Sequence, residues 1–140
     1  NVEDNAYALM RTKKGIVAML NSSATQWRHR FHLEINLKRG SLVLGGILSG
    51  SKSYGAETLT VINADPDHDN GNPREQLTRY NNDPSWYAEI SEFASCIIND
   101  RQITNGTSND ALQVMKLVYK IYYSDPAWRK TYKIPNPDNY

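Results

Sequence analysis

The sequence lacks most of the features that identify secreted proteins and membrane proteins. Cys96 is the only cysteine in 140 residues, so no intrachain disulfide can form, and we expect a reducing, cytoplasmic environment. The longest uncharged apolar stretch, residues 42–48, is far shorter than the ~20 residues that a membrane-spanning helix needs, so we expect no membrane segment. The first residues do not have the pattern of a signal peptide, and we expect none. The chain opens with Asn1 rather than Met, and we expect it to begin partway through a longer protein.

Motifs for nucleophilic catalysis and nucleotide binding are also missing. The chain contains no Gly-x-Ser-x-Gly, no P-loop and no Rossmann Gly-x-Gly-x-x-Gly, because Gly45, Gly46 and Gly50 have the wrong spacing. Cys96 lies in an apolar run without a histidine nearby, which favours a core residue over a nucleophile. We therefore predict no cofactor site in these 140 residues.

Charge is unevenly spread along the chain although the formal net charge is only +1. Residues 1–56 carry eight Lys/Arg against three Asp/Glu, residues 57–110 carry three against ten, and residues 111–140 carry five against two. The pI of about 8.0 is low for a nucleic-acid-binding domain, so we expect no nucleic-acid partner. The uneven distribution of charge along the chain is better suited to binding a protein partner or a second copy of the chain.

The first half of the chain has the alternating pattern of β-strands. Apolar Phe31, Leu33, Ile35 and Leu37 alternate with polar residues, which places the apolar set on one face. Similar patterns predict strands over residues 6–11, 16–22, 31–37, 41–44 and 57–63, joined mainly by short turns that end in glycine, as in an antiparallel meander. Residues 64–83 are predicted to form a long polar loop.

The second half has helical periodicity. Asp83 and Pro84 predict a helix start, and apolar residues then recur at helical spacing from Trp86 to Ile97. A second helix is predicted from Ser108 to the Asp125-Pro126 step, followed by a tail over residues 126–140. Strands followed by helices predict an α+β fold, with an open, mainly antiparallel sheet and helices packed on one face. The other, apolar face is expected to meet another protein surface.

Two polar segments are candidate binding sites. The segment from Asp65 to Gly71 has alternating carboxylates, like a calcium loop, but its register departs from the EF-hand pattern, so a solvated turn is the simpler interpretation. His29 and His32 are three residues apart, and in a strand they would lie on opposite faces and could not easily share a metal. His29 lies in the basic, aromatic run Trp27-Arg28-His29-Arg30, which is either a solvated edge or a contact for an anion or a sugar.

An ordered set of motifs resembles the C-terminal domain of the glucose–fructose oxidoreductase and inositol dehydrogenase family (Gfo/Idh/MocA). The resemblance covers about residues 4–125. The motifs are Asp4-Asn5-Ala6, Leu33-Glu34-Ile35 with Gly40-Ser41-Leu42, Trp86-x-x-Glu89-x-x-x-Phe93-x-x-x-Ile97, Asn99-Asp100-Arg101, Ser108-Asn109-Asp110-Ala111 and Val114-Met115-x-Leu117-Val118-x-x-Ile121-Tyr122.

The resemblance implies a substrate-binding and oligomerisation domain of an NAD(P)-dependent sugar or cyclitol oxidoreductase, over residues 1–125. An N-terminal Rossmann domain, absent from this chain, would bind NAD or NADP, and the open sheet face would mediate self-association. The family's Glu-Lys-Pro motif is absent, and no Asp lies four residues before a histidine. We therefore expect this chain alone to be inactive. A non-catalytic binding or assembly module of the same fold, or a calcium-binding carbohydrate module, are the alternatives.

The resemblance also indicates substrate-binding positions. It places an aromatic residue at the start of the first helix, Trp86, and the residue before the Asp that opens the second helix, Asn109, towards a sugar-type substrate. Arg79 and Tyr80 lie just upstream and are candidate companions, and His29 completes the predicted set. Trp86 could instead belong to the core and Asn109 could cap its helix; no catalytic residue and no metal ligand is predicted.

Overall fold

The computed structural model describes residues 3–48, 54–65 and 71–139. Within these residues the strands are β1 (Asn5–Arg11), β2 (Val17–Ser23), β3 (His32–Leu37), β4 (Gly40–Gly45), β5 (Glu57–Asn63) and β6 (Arg74–Tyr80). The helices are α1 (Ser85–Ile98), α2 (Ser108–Ser124) and α3 (Pro126–Tyr132), and a 3₁₀ turn spans Pro137–Asn139. The strands form open antiparallel sheets, which confirms the predicted α+β class with an open antiparallel sheet.

The chain divides into two compact units. We call Ser23–Ala88 the sheet unit, and Asn1–Ser22 together with Glu89–Tyr140 the helical unit. Strands β1 and β2 form a two-stranded sheet apart from the four-stranded sheet β3-β4-β5-β6, so the meander of five strands predicted from the sequence is instead shared between two sheets. The predicted division between residues 1–125 and the tail stays a prediction.

The sheet unit is built on a regular antiparallel meander. Its register pairs Leu33 with Leu44 and Leu44 with Leu59, so apolar side chains adjoin across three strands. We call the resulting surface the apolar face; it comprises Leu33, Ile35, Leu37, Leu42, Leu44, Leu59 and Val61. At the edge of this face Leu33 remains 43% exposed and Ile35 38% exposed, and the polar side chains that alternate with them lie on the opposite face.

Strand β6 corrects the prediction of one long loop over residues 64–83. Residues 74–80 pair with the whole of β5, from Glu57 with Tyr80 to Asn63 with Arg74. The segment has a single aliphatic residue, Leu77, and therefore gives no apolar alternation in the sequence. Its strand conformation comes from backbone hydrogen bonds to β5, a partner that lies outside the segment itself.

The β3–β4 hairpin requires glycine at position 40, where the turn ends. Leu37 pairs with Gly40 around a turn of only Lys38 and Arg39, which confirms the predicted turn. Gly40 has a φ of +146°, and a Cβ at this position would lie 2.0 Å from the carbonyl oxygen of Ile62. Any side chain here would therefore push β4 away from β5.

In the helical unit, α2 begins with a capping box. Thr107 is the N-cap, its hydroxyl accepts from the backbone N–H of Asp110, and the Asp110 carboxylate accepts from the backbone N–H of Thr107. These hydrogen bonds hold the pKa of Asp110 below its usual value, and the bond from the Thr107 hydroxyl contributes most. The predicted helix over residues 108–124 is confirmed, and the cap is supplied by Thr107 and Asp110 rather than by Asn109.

The C-terminal residues, predicted as a tail over residues 126–140, belong to the helical unit and form helix α3 and the 3₁₀ turn. Asp125 ends α2 and caps α3, because its Oδ1 accepts from the backbone N–H groups of Ala127 and Trp128. The Trp128 ring lies 4.3 Å from the Tyr132 ring and 6.3 Å from the Tyr122 ring, measured between centroids. These aromatic rings of the C-terminal segment therefore pack against the end of α2.

Helix α1 begins after Asp83, whose carboxylate accepts from the backbone N–H of Ser85 at 3.0 Å. Hydrogen bonds from Ser85 lower the pKa of Asp83. Cys96 is only 5% exposed, which agrees with its interpretation as a core residue, whereas Trp86 is 76% exposed and does not fit the core alternative. None of the helices in the described part of the chain is long and apolar enough to cross a membrane.

Candidate functional site

The sheet unit carries a groove lined by basic and aromatic side chains, which we call the basic–aromatic groove. The described residues of its lining are residues 26–32, the Gly45-Gly46 pair and Tyr54, and its volume is about 710 Å³. Pockets for small molecules usually measure ~300–1,000 Å³, so the groove is large enough for one sugar-sized ligand. Residues 24–31 precede β3 as an irregular segment, which leaves their side chains outside the sheet ladder.

Backbone and ring contacts fix the shape of this groove. The Gly46 N–H donates to the Phe31 carbonyl at 3.0 Å, which ties the irregular segment to the end of β4. Gly46 has a φ of +73°, and a Cβ there would lie 2.0 Å from the Ala56 carbonyl oxygen, so only glycine fits. The His29 and Tyr54 rings are 5.2 Å apart and tilted by 32°, which brings a residue of the β4–β5 connection onto the basic segment.

The groove is electrostatically positive. Arg28 and Arg30 are exposed, and none of the described carboxylates lies within ion-pair distance of either guanidinium. The described residues of the lining include no Asp or Glu. Two carboxylates lie near the lining: that of Glu34, 3.8 Å from His32 Nε2, and that of Glu57, which accepts from the backbone N–H of Leu48 at 2.9 Å, two residues after Gly46. A guanidinium without a protein partner keeps its five N–H donors available to an anionic ligand.

His29 and His32 line the same groove, although the sequence predicted that they would lie on opposite faces of a strand. The prediction that His29 and His32 lie on opposite faces assumed that one strand runs through both residues. Strand β3 begins only at His32, and His29 lies in the irregular segment before it. Both histidines therefore line the same groove.

The other predicted site residues lie at separate places. Arg79 and Tyr80 end β6, and as neighbours in a strand they face opposite sides of the sheet. Arg79 shares a cross-strand row with Thr58 and with Gly45 of the groove, about 10 Å from the latter across two strand spacings. Trp86 lies in the first turn of α1. Asn109 belongs to the helical unit, where it follows Ser108 in α2.

Some groove residues were not predicted as site residues. Trp27, Arg28 and Arg30 were noted as a basic, aromatic run, but their convergence on a groove depends on the irregular backbone before β3. Tyr54 lies far along the chain from His29, and no spacing rule relates the two positions. The Gly45-Gly46 pair could have indicated a tight backbone bend, although not its place beside the arginines.

The helical unit contains a second groove, of about 620 Å³, between β1 and the C-terminal half of α2. The Tyr122 hydroxyl donates to the Glu3 carboxylate. This bond lowers the pKa of Glu3 and raises the pKa of Tyr122, because the hydroxyl stabilises the ionised carboxylate and the carboxylate opposes ionisation of the phenol. None of the predicted site residues lines this groove, and its contacts connect β1 to α2.

The described residues also bear on two other kinds of site, one for a metal ion and one for a nucleotide. Among residues 3–48, 54–65 and 71–139, no group of three or more His, Cys, Asp or Glu side chains could hold a metal ion. The calcium-loop interpretation concerns Asp65 to Gly71, of which residues 66–70 lie outside the described part. Gly45 ends strand β4 and Gly46 follows it, and the next element among the described residues is β5 rather than the helix that follows a dinucleotide-binding glycine loop.

A scan against models of protein families, a search of curated proteins and a search of solved structures gave no match to this chain.

Proposed function

We propose that this chain is the substrate-binding and oligomerisation domain of a cytoplasmic, NAD(P)-dependent sugar or cyclitol oxidoreductase. The observation that carries the proposal is the basic–aromatic groove, a cavity of sugar-sized volume in a chain without a nucleotide motif. The ordered resemblance over residues 4–125 and the open antiparallel sheet support the same function. In this proposal a separate Rossmann domain would hold NAD(P).

The groove provides the two kinds of contact that a sugar ring needs. The exposed indole of Trp27 and the ring of Tyr54 offer aromatic faces on which the apolar C–H face of a pyranose can pack. Arg28, Arg30 and His29 provide hydrogen-bond donors for hydroxyl oxygens. In this proposal Trp86, Asn109, Arg79 and Tyr80 are further substrate contacts by resemblance.

Self-association through the apolar face is part of the proposal. The face carries seven aliphatic side chains on a four-stranded sheet, and its edge residues Leu33 and Ile35 remain partly exposed. Covering such a patch with a second copy removes apolar area from water. Light scattering at high protein concentration should give a dimer or larger species, and Ile35→Lys should shift it to monomer. A wild-type monomer would contradict this part.

The sugar-binding part is tested by NMR titration of the chain with glucose and myo-inositol. We expect shifts of the Trp27 indole N–H and loss of binding in Trp27→Ala, with Trp128→Ala as the matched control in the helical unit. Unchanged spectra with every sugar and cyclitol tested would refute a substrate-binding role.

The enzymatic part is tested by the absorbance of reduced nicotinamide. We expect no reduction of NAD or NADP by this chain alone, and reduction by a polypeptide that joins a Rossmann domain to it. If sugar binds but that polypeptide reduces neither nucleotide, a non-catalytic binding module with the same groove is the better description.

A further inference from the structure

We infer that the ligand of the basic–aromatic groove is an anionic sugar, one that carries a phosphate or a carboxylate. This inference rests on the proposed function, because it specifies which class of sugar the groove takes. It depends on the charge of the lining rather than on its aromatic rings.

The charge balance of the groove is the first argument. Two guanidinium groups, from Arg28 and Arg30, line it, and no acidic residue does so among the described residues. A neutral sugar needs a few donors and acceptors, and it compensates neither of the two positive charges in the lining. Asp or Glu side chains, which accept hydrogen bonds from sugar hydroxyls, are absent from the same described lining.

The state of the two arginines is the second argument. Neither pairs with a described carboxylate, whereas elsewhere in the chain Lys120 does pair, with Asp138 at 2.7 Å. Two like charges on nearly adjacent residues repel each other, and a bound anion would remove that repulsion. Guanidinium groups bind phosphate and carboxylate through paired hydrogen bonds, which gives geometric selection as well as charge.

The arrangement of rings and charges is the third argument. Trp27 directly precedes Arg28, His29 stands between the two arginines in the sequence with its ring 5.2 Å from the Tyr54 ring, and all of these residues line the groove. One ligand can therefore contact an aromatic face with its ring and a guanidinium with its anionic group. Phosphate and carboxylate share this chemistry, so the experiment separates them.

The test compares affinities for glucose, a glucose phosphate, glucuronate and inorganic phosphate, by calorimetry on the chain and its variants. The wild-type chain should bind at least one anionic sugar about tenfold or more tighter than glucose, because a charge-assisted hydrogen bond is stronger than a neutral one. Arg28→Ala with Arg30→Ala should abolish that preference, because it should weaken binding of the anionic sugar much more than binding of glucose. Affinity for the anionic sugar should fall as salt is added.

Controls separate the failure of this inference from the failure of the proposed function. Arg39→Ala, an exposed arginine in the β3–β4 turn at the far end of β3, should change nothing. Trp27→Ala should weaken every sugar equally. Equal affinity for glucose and both anionic sugars would overturn the inference that the ligand is anionic, and so would an absence of any effect in the double arginine variant. Either result would leave the proposed sugar-binding function intact. Inorganic phosphate that binds as tightly as the glucose phosphate would also overturn the inference of an anionic sugar. No binding of any sugar would refute the proposed function itself.

Circular dichroism of each variant checks that the fold is retained. All of the substituted side chains are exposed, so we expect unchanged spectra. Whichever anionic sugar binds tighter, the phosphate or the carboxylate, then identifies the anionic group.

Discussion

The start of helix α2 depends on hydrogen bonds between Thr107 and Asp110. The variant Thr107→Ala removes the bonds that the Thr107 hydroxyl makes. The Thr107 hydroxyl accepts from the Asp110 N–H at 3.2 Å and donates to Asp110 Oδ2 at 2.8 Å. Asp110 Oδ2 also accepts from the Thr107 N–H at 3.0 Å, and this third bond survives in the alanine variant. The substitution therefore leaves the Asp110 N–H without its partner in the first turn.

The expected loss in the free energy of unfolding is about 1 kcal/mol, the typical cost of replacing a threonine N-cap by alanine. For a chain of this length that corresponds to a fall in Tm of roughly 4 °C. Thermal melting followed by the helical circular dichroism signal measures it. Amide hydrogen exchange adds a local measurement, because Ala111 N–H, which donates to the Thr107 carbonyl at 3.0 Å, should lose protection.

Asp110 provides a pH test of the same reasoning. Its pKa is lowered in the folded chain, so its contribution to stability is present above the ordinary Asp pKa and is lost as pH falls through the lowered value. Thr107→Ala should raise the Asp110 pKa towards the ordinary value, as measured by NMR titration. Thr107→Ser keeps the hydroxyl and should behave like wild type. A Tm change below ~1 °C together with an unmoved Asp110 pKa in Thr107→Ala would refute the capping argument.

Two further substitutions test the groove and the helical unit. Gly46→Ala should destabilise the chain by at least ~2 kcal/mol in urea unfolding, because the left-handed backbone and the close Ala56 carbonyl both oppose a Cβ. Gly15→Ala is the control: its Cβ would meet no atom within 4 Å, so the chain should lose only ~1 kcal/mol. Equal losses of stability in the two variants would contradict this. Tyr122→Phe should raise the pKa of Glu3 in an NMR titration, since the phenol hydrogen bond is the largest cause of its lowering, and an unchanged titration would rule out that bond.

Helix limits and hairpin turns were predictable from the sequence because their causes are local. Residues 108–124 were predicted as a helix from their apolar spacing and from the Pro126 stop, and these are the limits observed. The β3–β4 turn was predicted from glycine at position 40, which directly follows the polar pair Lys38-Arg39. In each case the signal and the structure lie within a few residues of each other.

Strand β6 and the groove were not predictable in the same way. Residues 74–80 form a strand because β5 pairs with them, and a mostly polar sequence without alternation gives no sign of that partner. Tyr54 reaches the His29 ring only after β4 has turned at Gly46. The residues that determine the strand and the groove lie in distant parts of the chain.

The sequence by itself determined the α+β class, the limits of α2 and the absence of nucleotide motifs, because periodicity, capping residues and motif spacing act over short distances. Only the tertiary structure decided that the strands divide into two sheets, that β6 pairs with β5, and that two arginines and two histidines share one groove. These features depend on which distant backbone segments meet, and that choice is made by pairing and packing across the whole unit rather than by any local run of residues.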